Sequence, residues 1–135
     1  MREILVVAPH PDDETLGCGA TLLRHKAQGD KIHWLMVTQM QESAGYSKEE
    51  IKQRKNEIKN VASKFDFDSV HNLGFPPAEL DTLSQKAIIT AISNVVNEIK
   101  PEILYLPNPT DVHTDHHVVF KAGLACTKSF RYPFF

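Results

Sequence analysis

Apolar runs and helically spaced segments alternate along this chain. Ile4-Leu5-Val6-Val7 is an unbroken apolar run, the pattern of a strand covered on both faces of a parallel sheet, and predicts a strand over residues 2–9. A helix follows over residues 12–27, with Leu16, Ala20, Leu23 and Ala27 as its apolar stripe and Gly29-Asp30 as its stop. Gly17 and Gly19 let the start of that helix pack close to the sheet or a ligand. Residues 31–39 form a second strand, in which His33 is a strand-face residue. The charge-rich segment 48–64 keeps Ile51, Ile58, Val61, Ala62 and Phe65 on one side and predicts an amphipathic surface helix. Residues 68–74 make a short third strand, after which Pro76-Pro77 stiffens the loop. Ser84 caps the clearest helix, whose Ala87, Ile88, Ala91, Ile92, Val95, Val96 and Ile99 repeat through to Pro101. A fourth strand spans 102–107, and a last helix, following Val118-Val119-Phe120, ends at Ser129.

Each crossover helix is long enough to join parallel neighbours. The predicted fold class is therefore α/β, a Rossmann-like three-layer sandwich with a mainly parallel sheet and helices on both faces. A length of 135 residues predicts one domain.

Composition narrows the partners. The formal charge of −2 and the lack of any basic run give no nucleic-acid surface. No apolar stretch approaches membrane-spanning length, and the opening run is too short for a signal peptide, so the expected location is cytoplasmic. Cys18 and Cys126 lack metal-type spacing and read as packing thiols.

The candidate chemistry sits where two strands hand over to helices. After the first strand comes His10-Pro11-Asp12-Asp13-Glu14. His10 and Asp13, three apart on a helical first turn, can converge on one ion while Asp12 points elsewhere as a neighbouring base. Helix capping accounts equally well for the acids, but not for His10, whose neutral ring is a good metal ligand. After the fourth strand comes Asp111-Val112-His113-Thr114-Asp115-His116-His117, where four of five positions from 113 to 117 are His or Asp. A fold alone rarely demands that composition. Two such clusters on strands that can be sheet neighbours predict one shared metal site. In the polar stretch 39–47, Ser43, Gly45 and Tyr46 are candidates for substrate contact, while Arg54 and Glu57 read most simply as a solvated pair.

Ala8-Pro9-His10-Pro11-Asp12-Asp13-Glu14 together with His113-Thr114-Asp115-His116 resembles the paired signature motifs of the zinc-dependent amino-sugar de-N-acetylases, the LmbE-like or PIG-L-like family. Arg54-Lys55-Asn56-Glu57 and Leu73-Gly74-Phe75-Pro76 fall where that family carries an Arg-x-x-Glu helix and a strand ending. The resemblance implies Zn2+ held by His10, Asp13 and His116, with Fe2+ or cobalt accepting the same donors. It further implies Asp12 as general base, and His113 stabilising or protonating the tetrahedral intermediate, as an imidazolium. Asp115 would orient a histidine and Arg54 would reach the sugar. His117 lies outside the motif, as a helix residue. The implied activity is removal of the N-acetyl group from an N-acetylglucosamine-type sugar or conjugate by a hydrolase, with a homo-oligomer as a further possibility.

The chain departs from the family in two places. Residues 1–135 correspond to a domain shortened before the family's final strands, and the aromatic ending Arg131-Tyr132-Pro133-Phe134-Phe135 predicts surface that a further segment or a partner covers. Pro77-Ala78-Glu79-Leu80 replaces the family's Asp-Gly before Leu, with Glu79 or Asp81 as substitutes for sugar contact. A second function class stays open: a catalytically incompetent zinc-binding domain. Dinucleotide binding is disfavoured, because the acids after the first strand repel phosphate.

Overall fold

The structure is a computed structural model and describes residues 1–129. The aromatic ending expected to be covered lies outside the described residues. Strands β1 (Glu3–Ala8), β2 (Lys31–Thr38), β3 (Ser69–Phe75) and β4 (Ile103–Tyr105) form one parallel sheet in the order β3-β2-β1-β4. Helices α1 (Asp13–Ala27), α2 (Lys48–Phe65), α3 (Gln85–Ile99) and α4 (Thr114–Cys126) link or follow the strands.

Alternation along the strands divides the core in two. Leu5, Val7, Leu35 and Val37 pack with Ile88, Ile92, Val95 and Val96 of α3 and Val119, Ala122 and Cys126 of α4. Ile4, Val6, Ala8, Ile32, Trp34 and Met36 face the other way, onto Leu22 of α1 and Phe65 of α2. The three-layer α/β class read from periodicity is thus the observed one.

Order in the sheet matters more than its size. The chain builds outward from β1 to β2 and β3, then returns to place β4 on the other side of β1. The carboxyl ends of β1 and β4 therefore flank the point where connections diverge, the position at which open α/β sheets form a crevice.

The stripe expected on α1 is wrong. Glu14, Gly19, Leu22 and His25 are its buried residues, whereas Leu16 is 81% and Leu23 51% exposed. The helix breaks at Cys18 (φ −145°, ψ 25°), so the turn before and the turns after do not share one continuous phase. The buried face also uses polar residues that are satisfied elsewhere, and a hydrophobic count cannot find those. The last helix also differs: α4 starts at Thr114, so His116 and His117 lie in its first turn, and its end tightens into a 3-10 turn at Thr127–Ser129. β4 is shorter than expected, stopping at Tyr105 before Pro107. Both cysteines are free.

No helix among the described residues is long and apolar enough to cross a membrane.

A polar cluster ties α1 to the start of the sheet, away from the crevice. Asp30 lies 2.9 Å from Arg2 Nη2 and 2.8 Å from His25 Nδ1, and accepts the Arg2 backbone N–H at 3.0 Å. The far nitrogen of His25 meets the Tyr105 hydroxyl at 2.8 Å. The Arg2 guanidinium, followed by His25, holds the Asp30 carboxyl well below its ordinary pKa of 3.8. A depressed carboxylate adds stability that is present above the unfolded pKa and is lost as pH falls toward the folded one. Asp30→Asn is accordingly expected to be less stable than wild type to urea at pH 7, with the difference shrinking once the pH drops below about 4. Equal unfolding midpoints at pH 7 would show that the cluster contributes nothing.

Candidate active site

The crevice is assembled from the turn after β1, the loop after β3 and the start of α4. His10 leaves β1, and Asp13 opens α1, where the helix N-terminus favours a carboxylate. Between them Asp12 adopts φ 115°, a conformation that costs an L-residue about 1–3 kcal/mol. The turn holds it there. Its N–H donates to Glu14 Oε2 at 3.0 Å, and its carbonyl accepts from Thr15 and Leu16 at 3.0 and 2.9 Å. Glu14 itself is buried, 1% exposed, and burial raises its pKa.

His10 and His116 meet at Asp13. His10 Nδ1 lies 3.3 Å and His116 Nε2 lies 3.2 Å from Asp13 Oδ2. The remaining nitrogen of each ring faces another carboxylate: His10 Nε2 is 2.8 Å from Asp115 Oδ2, and His116 Nδ1 is 3.1 Å from Asp111 Oδ2. Such pairing fixes the ring orientation and turns one nitrogen of each toward a common point.

Whether these residues fit a metal ion can be tested by separation. Ligands about 2.0–2.1 Å from a tetrahedral ion are roughly 3.3–3.4 Å apart. The two contacts to Asp13 match that spacing, and His10, Asp13 and His116 offer ligand atoms all within 4.8 Å of one another. His10, His113 and Asp115 also cluster within 4.8 Å. That second set is already committed: Asp115, fully buried, accepts from His10 and from the backbone N–H groups of Ala78 (2.7 Å) and Leu80 (3.3 Å), while His113 Nδ1 accepts the Asp115 N–H at 3.0 Å. The first set retains donor capacity and fits the ion.

Charges follow the geometry. Burial raises the Asp12 carboxyl above its ordinary pKa, and the negative charge of Asp13 adds to the rise. Burial also works against ionised Asp13, yet hydrogen bonds from the His10 ring and backbone outweigh it and hold its pKa low. His10 is opposed by burial too, but the bonds to Asp13 and Asp115 raise its pKa.

Asp12 and His113 open into a groove of about 580 Å3 that runs between α2 and β3. Arg54 lines it, with Nη1 3.3 Å from the Pro11 carbonyl and Nε 3.6 Å from Glu57. Of the loop residues singled out in the sequence, Tyr46 lines the groove. Ser43 instead bonds Gln41, and Gly45 ends a 3-10 turn. Pro77 and Ala78 reach the groove, whereas Glu79 and Asp81 are not among its lining residues. His117 is a residue of α4 whose Nε2 bonds the Asp111 carbonyl. Sequence reasoning gave no role to Asp111 or Glu14. Asp111 was visible as a carboxylate beside a histidine cluster, and Glu14 as an acid placed where α1 meets the core.

Residues 5–127 match the model of the family described as PIG-L, GlcNAc-PI de-N-acetylase. The chain is 29% identical over 129 residues to a probable N-acetyl-alpha-D-glucosaminyl L-malate deacetylase 2 of Bacillus cereus, covering 90% of this chain and 59% of that protein. It is 28% identical over 127 residues to a diacetylchitobiose deacetylase of Thermococcus kodakarensis, covering 86% of this chain and 45% of that protein. Among solved structures, the conserved protein TT1542 of Thermus thermophilus superposes with a TM-score of 0.80 at 30% identity, over 95% of this chain and 56% of the other. This chain therefore spans about half the length of the relatives it matches.

Glu14 is the acceptor that keeps the Asp12 turn in place. Glu14→Ala removes the acceptor of the part-buried Asp12 N–H and is expected to cost about 0.5–1.5 kcal/mol of stability. Glu14→Gln, which keeps an acceptor oxygen, should recover most of that loss in chemical denaturation. Equal losses for both variants would assign the effect to cavity or charge rather than to the backbone bond.

Proposed function

We propose, on the premise that this chain belongs to the PIG-L family of GlcNAc-PI de-N-acetylases, that it hydrolyses the N-acetyl group of an N-acetylglucosamine-type sugar or conjugate. The observation that carries this reading is the convergence of His10, Asp13 and His116 on one point beside the Asp12 carboxylate, at the mouth of a groove of sugar-binding size. The names of the relatives, a glucosaminyl malate deacetylase and a diacetylchitobiose deacetylase, support an amino-sugar substrate.

His10, Asp13 and His116 would hold a divalent ion, with zinc favoured by two imidazoles and a carboxylate, and iron or cobalt accepting the same donors. When bound, that ion supplies an acidified water and a Lewis acid for the amide carbonyl.

Asp12 is the general base. Its raised pKa suits accepting a proton from the attacking water and returning it to the departing amine, and the left-handed turn fixes the backbone that carries it. His113 caps α4 through Nδ1, so the ring proton resides on Nε2, where it can donate to the oxyanion that develops on the acetyl carbonyl. Asp115 orients His10, and Asp111 orients His116. Arg54, tethered to the Pro11 carbonyl, positions the sugar along the groove wall.

Ligand and base separate in one experiment. Asp12→Ala is expected to keep about one zinc per chain by elemental analysis while amine release from N-acetylglucosamine derivatives falls by about 10²–10⁴-fold. His116→Ala should lose both metal and turnover. If Asp12→Ala retains activity, the assignment of the base fails. If the wild-type chain binds zinc and releases no amine from any N-acetyl sugar, it is a non-catalytic metal-binding domain.

A further inference from the structure

Three of the four helices start in the same way, and α1 does not. Before α2, α3 and α4, Ser47, Ser84 and His113 take extended backbone at φ −75°, −61° and −75°, and each side chain accepts a backbone N–H of the first turn. That is the ordinary N-cap, and aspartate is among the residues best suited to it. Asp12 holds the same position before α1, yet its φ is 115° and its side chain makes no capping bond. It lines the groove instead.

Two anchors, one on either side of the Asp12 N–Cα bond, account for the difference. On one side the Asp12 carbonyl accepts from the amides of Thr15 and Leu16 at 3.0 and 2.9 Å. On the other, the Asp12 N–H donates to Glu14 Oε2 at 3.0 Å. The second oxygen of Glu14 accepts from the Thr15 hydroxyl at 3.1 Å, so both ends of the carboxylate are occupied. Glu14 is only 1% exposed, and it belongs neither to the groove lining nor to the candidate ligand sets. An acid that served the helix dipole alone would gain nothing from burial, which is costly for a carboxylate. What burial achieves here is a fixed grip on the amide of residue 12. With that grip released, rotation about N–Cα returns residue 12 to the extended region that L-residues prefer, where its carboxylate can accept from the free amides of the first turn. The base would become a cap.

We propose that Glu14 is the positioning residue of the catalytic base: by holding the Asp12 N–H it keeps residue 12 out of the capping conformation and its carboxylate turned to the groove. The inference rests on the deacetylase reading, with Asp12 as its base. It makes the reach of the Glu14 side chain decisive and its charge incidental.

Two substitutions separate reach from charge. Glu14→Gln loses the charge but keeps an oxygen for the Asp12 N–H, with its amide NH2 turned to the Thr15 hydroxyl oxygen. Glu14→Asp keeps the charge and is one methylene too short. Amine release from N-acetylglucosamine derivatives and zinc content by elemental analysis are measured for both, with Asp12 intact and in an Asp12→Ala background. Glu14→Asp is expected to lower kcat about 10–100-fold while KM and zinc content stay within about twofold of wild type, and Glu14→Gln to keep kcat within about threefold. A residue that only stabilised the fold would not split kcat from zinc content in this way. In the Asp12→Ala background, Glu14→Asp should lower kcat no further, because residues that act as one unit are not additive. A Glu14→Asp variant as fast as wild type, equal losses in the Asp and Gln variants, or a further loss once Asp12 is gone overturns the inference alone. A zinc-loaded wild type that releases no amine sinks the deacetylase reading, and this inference with it.

Discussion

A single buried carboxylate, Asp115, joins the elements that make the crevice. It sits in the first turn of α4, fully shielded from water, and accepts from His10 after β1 and from Ala78 and Leu80 after β3. Burying a carboxylate is costly, and three hydrogen bonds drawn from two separate segments are what offset the cost. The price of that convergence is visible in the backbone, since Ala78 takes φ 62° to aim its N–H inward. Because His10 is gripped through Nε2, its Nδ1 can face only Asp13. The orientation of the candidate metal ligand is therefore fixed from behind, by a residue 105 positions away in sequence.

Topology makes this grip possible. β4 returns to the far side of β1, so the segments following β1 and β4 arrive at the same divide in the sheet. Each leads into a helix, α1 from Asp13 and α4 from Thr114, and both Asp13 and Asp115 fall in first turns, where backbone N–H groups meet negative charge. Secondary structure thus places both carboxylates at helix starts beside the crevice. The groove between α2 and β3 lies along the same sheet, at its edge strand.

Much of this was legible in the sequence, for identifiable reasons. Buried parallel strands read as unbroken apolar runs, and α2 and α3 have stripes that their burial follows, so the sheet and two helix faces were accessible to periodicity. The two His/Asp clusters were legible because their composition exceeds what capping requires. What escaped depends on backbone geometry that a pattern does not encode. The break at Cys18 shifts the face of α1, and His25 is buried because Asp30 and Tyr105 satisfy it. Asp111 and Glu14 act through short-range turns, where a bend decides which carboxylate meets a ring and which meets an amide. Similarly, Tyr46 and Ser43 look alike as loop residues, yet only the turn ending at Gly45 determines which one reaches the groove.

The density of carboxylates around the crevice also explains the opposing pKa directions there. Asp12 and Asp13 are adjacent in sequence, and the charge on Asp13 makes ionisation of Asp12 harder, whereas His10 and His116 favour it. Among the protein groups alone, a proton on His10 is the charge that compensates Asp13 and Asp115, which is why its pKa rises despite burial. A divalent cation at the same point would do this compensation better, since it needs no ring to carry the charge and would leave Nδ1 free to coordinate. On the proposed reading, proton and cation would therefore compete for one position, with the Asp12 carboxylate outside the donor set. A base held close to such an ion yet outside its donor set would keep its lone pairs for water, as the proposed amide hydrolysis requires.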